Sequence, residues 1–307
     1  STIKPIIADG EEMIVTGASS APIDIGVLYN GFEVQPSADP AFHKITLAEN
    51  QSYRFENITG STETLESDAK SGLKNYYDYA YYNAEGFLDG ASMQSIGTRT
   101  VGASKEIIVT GASSQLVTIA APYRAFTASP SSEPAFEKVT MRQGETYEFY
   151  NFTDKNRTID KNGKSTDKID YVSYLEDGTT KTKSSNTAAS PIVYPGGRTV
   201  VTLITANPTE FGLPHRDFAI AAEDRSAIHT KIVQPGESYL LRNTGTLQHA
   251  LKHDAAVNKL KFDYASYNSS GNLSGYKFNG SQTFTIPAGG YSIMSNTSKG
   301  SITIEYT

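Results

Sequence analysis

Cysteine is absent from the 307-residue chain. That removes disulfides, thiolate chemistry and cysteine-ligated zinc together, so its domains must be held by apolar cores, by metal or by another kind of cross-link. Long apolar runs are missing too. None approaches the ~18 residues of a membrane span, which speaks against membrane insertion. Lysine and arginine form no stripe for phosphates, and 27 basic against 33 acidic residues leave a net charge of −6, which disfavours nucleic acid and anionic membrane as partners. No secretory leader is visible, and a start on Ser1 in place of Met suggests a processed protein or an excised piece. GxSxG, HExxH, P-loop and Rossmann fingerprints are also lacking, so the expectation is a protein that is not an enzyme.

What the chain does contain is repetition. Asp78-Tyr79-Ala80-Tyr81-Tyr82 returns as Asp170-Tyr171-Val172-Ser173-Tyr174 and as Asp263-Tyr264-Ala265-Ser266-Tyr267. The three aspartates lie 92 and 93 residues apart, a period too long for a solenoid and right for a small domain. Side chains alternate across an extended strand, and the aromatic and apolar positions of all three copies alternate in register, each run ending near a glycine turn. The stretch therefore reads as a central β-strand. Around it, each copy carries Ser/Pro/Asp loop chemistry, then a predicted hairpin such as Phe42–Leu47 with Tyr53–Asn57, turned at Asn50, Gly144 or Gly236. Variable polar connections follow. Residues 62–73 and 247–260 have loosely helical spacing, whereas 154–167 read as loop.

The fold expected is all-β, with three tandem β-sandwich modules of jelly-roll or Ig-like type over 31–124, 125–215 and 216–307. Residues 1–30 form a leading strand pair that ends a repeat instead of starting one. Met13-Ile14-Val15-Thr16-Gly17-Ala18-Ser19-Ser20 is nearly identical to Ile107-Ile108-Val109-Thr110-Gly111-Ala112-Ser113-Ser114. A lone strand pair is marginal in water, so this segment is expected to dock on the first module or on another subunit, giving head-to-tail self-association by strand addition.

Each copy also repeats a lysine, an asparagine and an aspartate: Lys44, Asn57 and Asp78; Lys138, Asn151 and Asp170; Lys231, Asn243 and Asp263. An amine beside a carboxamide with a nearby acid is the set needed for a spontaneous Lys–Asn isopeptide bond. The trio resembles that of Gram-positive pilin and adhesin domains, and the resemblance implies such a cross-link; the alternative is a buried polar trio without one. Tyr82, Tyr174 and Tyr267 share a strand face and are candidate ligand-binding residues, since exposed tyrosines stack on sugar rings. His249 and His253 would share a helix face and are the candidate metal pair. Calcium could be held by the acidic loops at Glu33 to Asp39, Glu133 and Glu223-Asp224, although none has the spacing of a calcium-loop motif.

These features lead to an expectation of a non-catalytic, extracellular bacterial surface or stalk protein acting in adhesion or cell-envelope assembly, with a glycan or a surface protein as partner. A carbohydrate-binding protein is the second reading, and a hydrolase with an unfamiliar site the third.

Overall fold

The computed structural model describes residues 6–8, 10–25, 33–164 and 166–306. Strands take up 51% of the chain and helix 1%, so sheet order alone defines the fold. Two compact units divide it, one holding Ser1–Phe136 with Pro214–Arg216 and the other Glu137–Leu213 with Asp217–Thr307.

In the first unit, β1 (Phe42–Leu47), β2 (Ser52–Asn57), β3 (Glu63–Ser67), β4 (Tyr77–Tyr82), β5 (Leu88–Ser95), β6 (Arg99–Val101), β7 (Glu106–Gly111), β8 (Val117–Pro122) and β9 (Phe126–Ser131) build two antiparallel sheets. Their orders are β1-β8-β3-β6 and β5-β4-β7-β2-β9. Leu47, Leu65, Val117 and Ile119 from one sheet meet Phe55, Tyr77, Ile107, Val109 and Phe126 from the other, giving a sandwich-like core. Full burial of each such side chain contributes about 1.5–3 kcal/mol, which is how a cysteine-free layer pair holds together. The Asp-Tyr strand, β4, lies between β5 and β7, the interior position its two-faced pattern predicts.

The predicted hairpin is a different structure. β1 and β2 belong to opposite sheets, so the chain arches over the edge of the core instead of doubling back. Asn50 does take the left-handed conformation expected of it, at φ 63°. Its amide, however, donates to Gly111 O at 2.9 Å, and Gly111 N donates to Gln51 O at 3.0 Å, which ties the arch to the end of β7. Gly144 and Gly236 repeat the arrangement, with amides donating to Leu203 O and Asn296 O.

The second unit contains β10 (Phe136–Met141, from its second residue), β11 (Thr146–Asn151), β12 (Arg157–Thr158), β13 (Asp160–Asn162), β14 (Ile169–Tyr174), β15 (Thr180–Thr187), β16 (Ile192–Val193), β17 (Arg198–Leu203), β18 (Thr209–Pro214, up to Leu213) and β19 (Phe218–Glu223). It continues through β20 (His229–Val233), β21 (Ser238–Arg242), β22 (His249–His253), β23 (Phe262–Tyr267), β24 (Leu273–Gly280), β25 (Phe284–Ile286), β26 (Tyr291–Asn296) and β27 (Ile302–Tyr306). The sheet β15-β14-β17-β11-β19 repeats the order of β5-β4-β7-β2-β9, and β24-β23-β26-β21 repeats it with one strand fewer. Segments with helical spacing in the sequence are not helical: residues 62–73 give β3 and the short 3-10 turn Ser71–Leu73, and 247–260 give β22 and turns.

β9 and β19 follow residues 124 and 215 and pair back onto β2 and β11, in matching registers from Asn57↔Phe126 to Ser52↔Ser131 and from Asn151↔Phe218 to Thr146↔Glu223. Among the described residues no strand pairs with the corresponding edge of β21, whose partner is β26. The described residues of the leading segment, 6–8 and 10–25, likewise form no strand, and Met13, Val15, Ile23 and Ile25 are exposed. The second half of its predicted second strand, 26–29, lies outside the described residues.

Candidate functional site

The repeated asparagines are structural corners. Asn57, buried at the end of β2, donates from Nδ2 to Ser61 O at 2.8 Å, Val101 O at 2.9 Å and Gly102 O at 3.0 Å. Its Oδ1 accepts from Thr59 N and Thr59 Oγ1, both at 2.9 Å. Asn151 donates to Lys155 O and Val193 O, and Asn243 to Leu247 O, Ile286 O and Pro287 O. A carboxamide has two donor hydrogens and one acceptor oxygen, and here both ends are used to stitch one loop to a strand end. The lysines lie elsewhere. Lys44, Lys138 and Lys231 are on β1, β10 and β20, in the sheets opposite those of the asparagines and aspartates. Lys138 pairs with Glu210 at 3.0 Å, and Lys231 lies 4.8 Å from the Tyr239 ring centroid.

The repeated aspartates hold a β-bulge. β4, β14 and β23 each slip register against their neighbour after the first residue of the strand, at Tyr77/Tyr79, Ile169/Tyr171 and Phe262/Tyr264. Opposite each slip stands a residue of positive φ: Gln94 at 48°, Asn186 at 50° and Asn279 at 54°. Its amide is turned out of the ladder and donates to the aspartate Oδ1, at 2.8 Å to Asp78 and 2.7 Å to Asp170 and Asp263. Burial raises the pKa of Asp170, and the Asn186 amide pulls it back down. The interval between aspartate and bulge residue is a constant 16 residues, a signal present in the sequence itself. Asp78→Ala should cost about 2 kcal/mol through the lost charge-assisted bond. Gln94→Gly should instead stabilise by about 0.5–1 kcal/mol by relieving the left-handed backbone; urea unfolding midpoints of the two variants moving in the same direction would contradict this role.

The three candidate tyrosines are not equivalent. Tyr82 is fully buried, with the Arg216 guanidinium 4.2 Å from its ring centroid and its phenol pushed up to about 12, chiefly by burial. Arg216, a residue the sequence reading passed over, also pairs with Glu106 and, at 2.9 Å, with Glu133. Tyr174 is half-buried beneath Arg198, and Tyr267 is half-buried and stacked on Tyr291 at 4.9 Å. No common platform is therefore open in all three copies.

His249 and His253 lie on a strand, not a helix. Burial and nearby Lys183 push the His249 imidazole pKa down, and His253 packs edge-on against Phe262 with its Nε2 3.2 Å from Gln282 O. Among the described residues no group of three His, Asp or Glu side chains could hold a metal ion. Of the acidic loops, Asp39 pairs with Arg124, Glu133 with Arg216 and Glu223 with Arg225.

A concave surface lies on the third copy. Asp263, Tyr264, Ala265, Tyr267, Tyr276, Phe278 and Ile293 line a groove of about 480 Å³ on the outer face of the β23–β26 sheet, with Tyr276 72% and Phe278 78% exposed. The same face is covered in the other copies. Ala80, Tyr82 and Ile108 are packed beneath Ala135 and Phe136, and Val172, Val200 and Tyr174 beneath Ala227 and Ile228. No protein-family model matches the sequence, and no curated protein matches it either.

Proposed function

We propose that the chain is a tandem array of three β-sandwich modules that works without catalysis at a cell surface, as a stalk or envelope component in adhesion. One observation carries this reading: the same seat is built twice, by the strand that leaves one copy and the first residues of the next. β9 completes the sheet of β2, and Ala135 N then donates to Thr110 Oγ1 at 2.8 Å; β19 completes the sheet of β11, and Ala227 N donates to Thr202 Oγ1 at 2.8 Å. A linker that is itself a strand makes a continuous array, and repetition extends reach and multiplies weak contacts. The setting proposed is extracellular, and the partner would be a glycan or a surface protein.

The modular reading has a direct test. Residues 132–227, which keep β19 on β11, should unfold in one cooperative transition. Residues 125–215, which lack it, should melt lower by roughly 10 °C or fail to fold, because Phe149 and its neighbours lose an edge. Equal melting temperatures would remove the idea of a shared strand. For the adhesive role, the immobilised chain would be screened on a glycan array and against extracellular surface proteins. Binding to neither class would count against it, and glycan binding abolished by Tyr276→Ala would favour the carbohydrate reading through the exposed aromatic groove.

A further inference from the structure

We propose that the open β21 edge and the groove beside it receive residues 33–42 of a second copy of this chain, linking molecules head to tail. This rests on the array reading above and supplies the joint between one molecule and the next.

The argument is one of equivalence. β9 and β19 are preceded by Tyr123-Arg124-Ala125 and His215-Arg216-Asp217, and they lead through a short loop into Ala135-Phe136 and Ala227-Ile228. A third segment of the same pattern stands near the start of the chain, as Glu33-Val34-Gln35-Pro36-Ser37 leading into Ala41-Phe42. It is a strand in search of a sheet: residues 33–37 are exposed and form no strand, with Val34 74% exposed. β21 is a sheet edge in search of a strand.

Transferring the register of β9 on β2 places Ser37 opposite Ser238, Pro36 opposite Tyr239, Val34 opposite Leu241 and Glu33 opposite Arg242. The last two are an apolar pair and an opposite-charge pair, each favourable across neighbouring strands. Proline is tolerated because it would sit on an outer strand, as Pro130 does opposite Tyr53. The acceptor is also ready. Ser295 occupies the position of Thr110 and Thr202, and its Oγ already meets Ser238 Oγ at 2.7 Å, as Thr110 meets Ser52 and Thr202 meets Thr146. Ala41 N would donate to Ser295, and Phe42 would enter the groove over Ala265, Tyr267 and Ile293, the places of Ala80, Tyr82 and Ile108 beneath Phe136.

The leading segment competes for this seat. Thr16 Oγ1 accepts Ala41 N at 2.8 Å, while Arg124 pairs with Glu12 and with Asp39. Thr16, Glu12 and Asp39 are the equivalents of Thr110, Glu106 and Glu133, which serve Ala135 and Arg216 in the same way. Residues 10–25 therefore stand in their own molecule where the third copy of another would bind, and their removal should tighten association.

Sedimentation velocity on the full chain up to about 100 µM should show a concentration-dependent series of species, and deletion of residues 1–25 should lower the dissociation constant by about tenfold or more. Phe42→Asp removes the donor and Ile293→Asp the acceptor, so each variant alone should be monomeric. Their equimolar mixture should give a heterodimer and nothing larger. Persistent monomer in both the full and shortened chains would overturn the proposal, as would association that survives either substitution. A mixture that stays monomeric while both variants melt at the parental temperature would overturn it as well, as would a glycan that fills the groove of a chain remaining monomeric throughout. Cooperative folding of residues 132–227 alongside any of these failures would leave the array reading standing and remove only the intermolecular joint.

Discussion

Asn57→Ala is expected to lower the unfolding free energy of the first unit by about 3 kcal/mol, seen as a shift in the urea midpoint at unchanged slope. The variant deletes the donor shared by Ser61, Val101 and Gly102 and the acceptor of Thr59, and so leaves main-chain groups in and around a buried corner without their partner. Each such orphaned group costs about 1–3 kcal/mol, and the Thr59 loop is then released from the end of β2. Lys44→Ala should change stability by less than about 0.5 kcal/mol, because Lys44 is an exposed residue of the opposite sheet. The pair of results separates a corner from a cross-link, since an isopeptide bond would make both substitutions severe. An intact mass short by one ammonia per bond would decide for the cross-link.

Gly111→Ala should be at least as damaging. A Cβ at Gly111 would lie 2.2 Å from Ala48 O and 2.9 Å from Ala48 C, both main-chain atoms that no side-chain rotation can move. Relief requires the arch between β1 and β2 to shift, which would break the bonds from Asn50 N to Gly111 O and from Gly111 N to Gln51 O. A loss of about 3 kcal/mol or more follows, with the melting temperature of the first unit falling by well over 10 °C. Gly86→Ala is the matched control for position. Gly86 has φ 83° and open space around the added carbon, so only the backbone cost of about 1–2 kcal/mol applies. A milder result at Gly111 than at Gly86 would show that the arch yields easily.

The sequence made the all-β class legible because three copies of one alternating pattern cannot be accidental, and it located the turns because positive φ demands Asn or Gly. It could not say whether a turn joins two strands of one sheet or carries the chain to the other. Both need the same residue at the same place, and the difference lies in contacts with β7, more than fifty residues away. The helical reading of 247–260 failed for a related reason. His249 and His253, four apart, share a face on a helix and also on a strand, so their spacing satisfies both periods. The repeated Asn and Asp hold corners and bulges, whereas the cross-link chemistry that their residue types allow depends on where Lys44, Lys138 and Lys231 sit. That is a fact of sheet membership, which residue type does not encode.

The strand that closes each five-stranded sheet comes from the chain beyond it, and this sets an order of folding. β2 waits for β9, whose first residue Phe126 pairs with Asn57, and β1 waits for β8, where Phe42 meets Pro122. With such distant partners, loop closure must precede most of the stabilising contacts, and folding in milliseconds to seconds is the expected range. At a synthesis rate of about 5–20 residues per second, β1 and β2 are made several seconds before their partners exist. In that interval Phe55, Leu47 and Ile45 have no core to enter. The lysine, glutamate and arginine side chains that alternate with them along β1 and β2, exposed Lys44 and Glu56 and half-exposed Arg54, then act as gatekeepers of a nascent chain, keeping two unsatisfied edges soluble until the rest of the layer arrives.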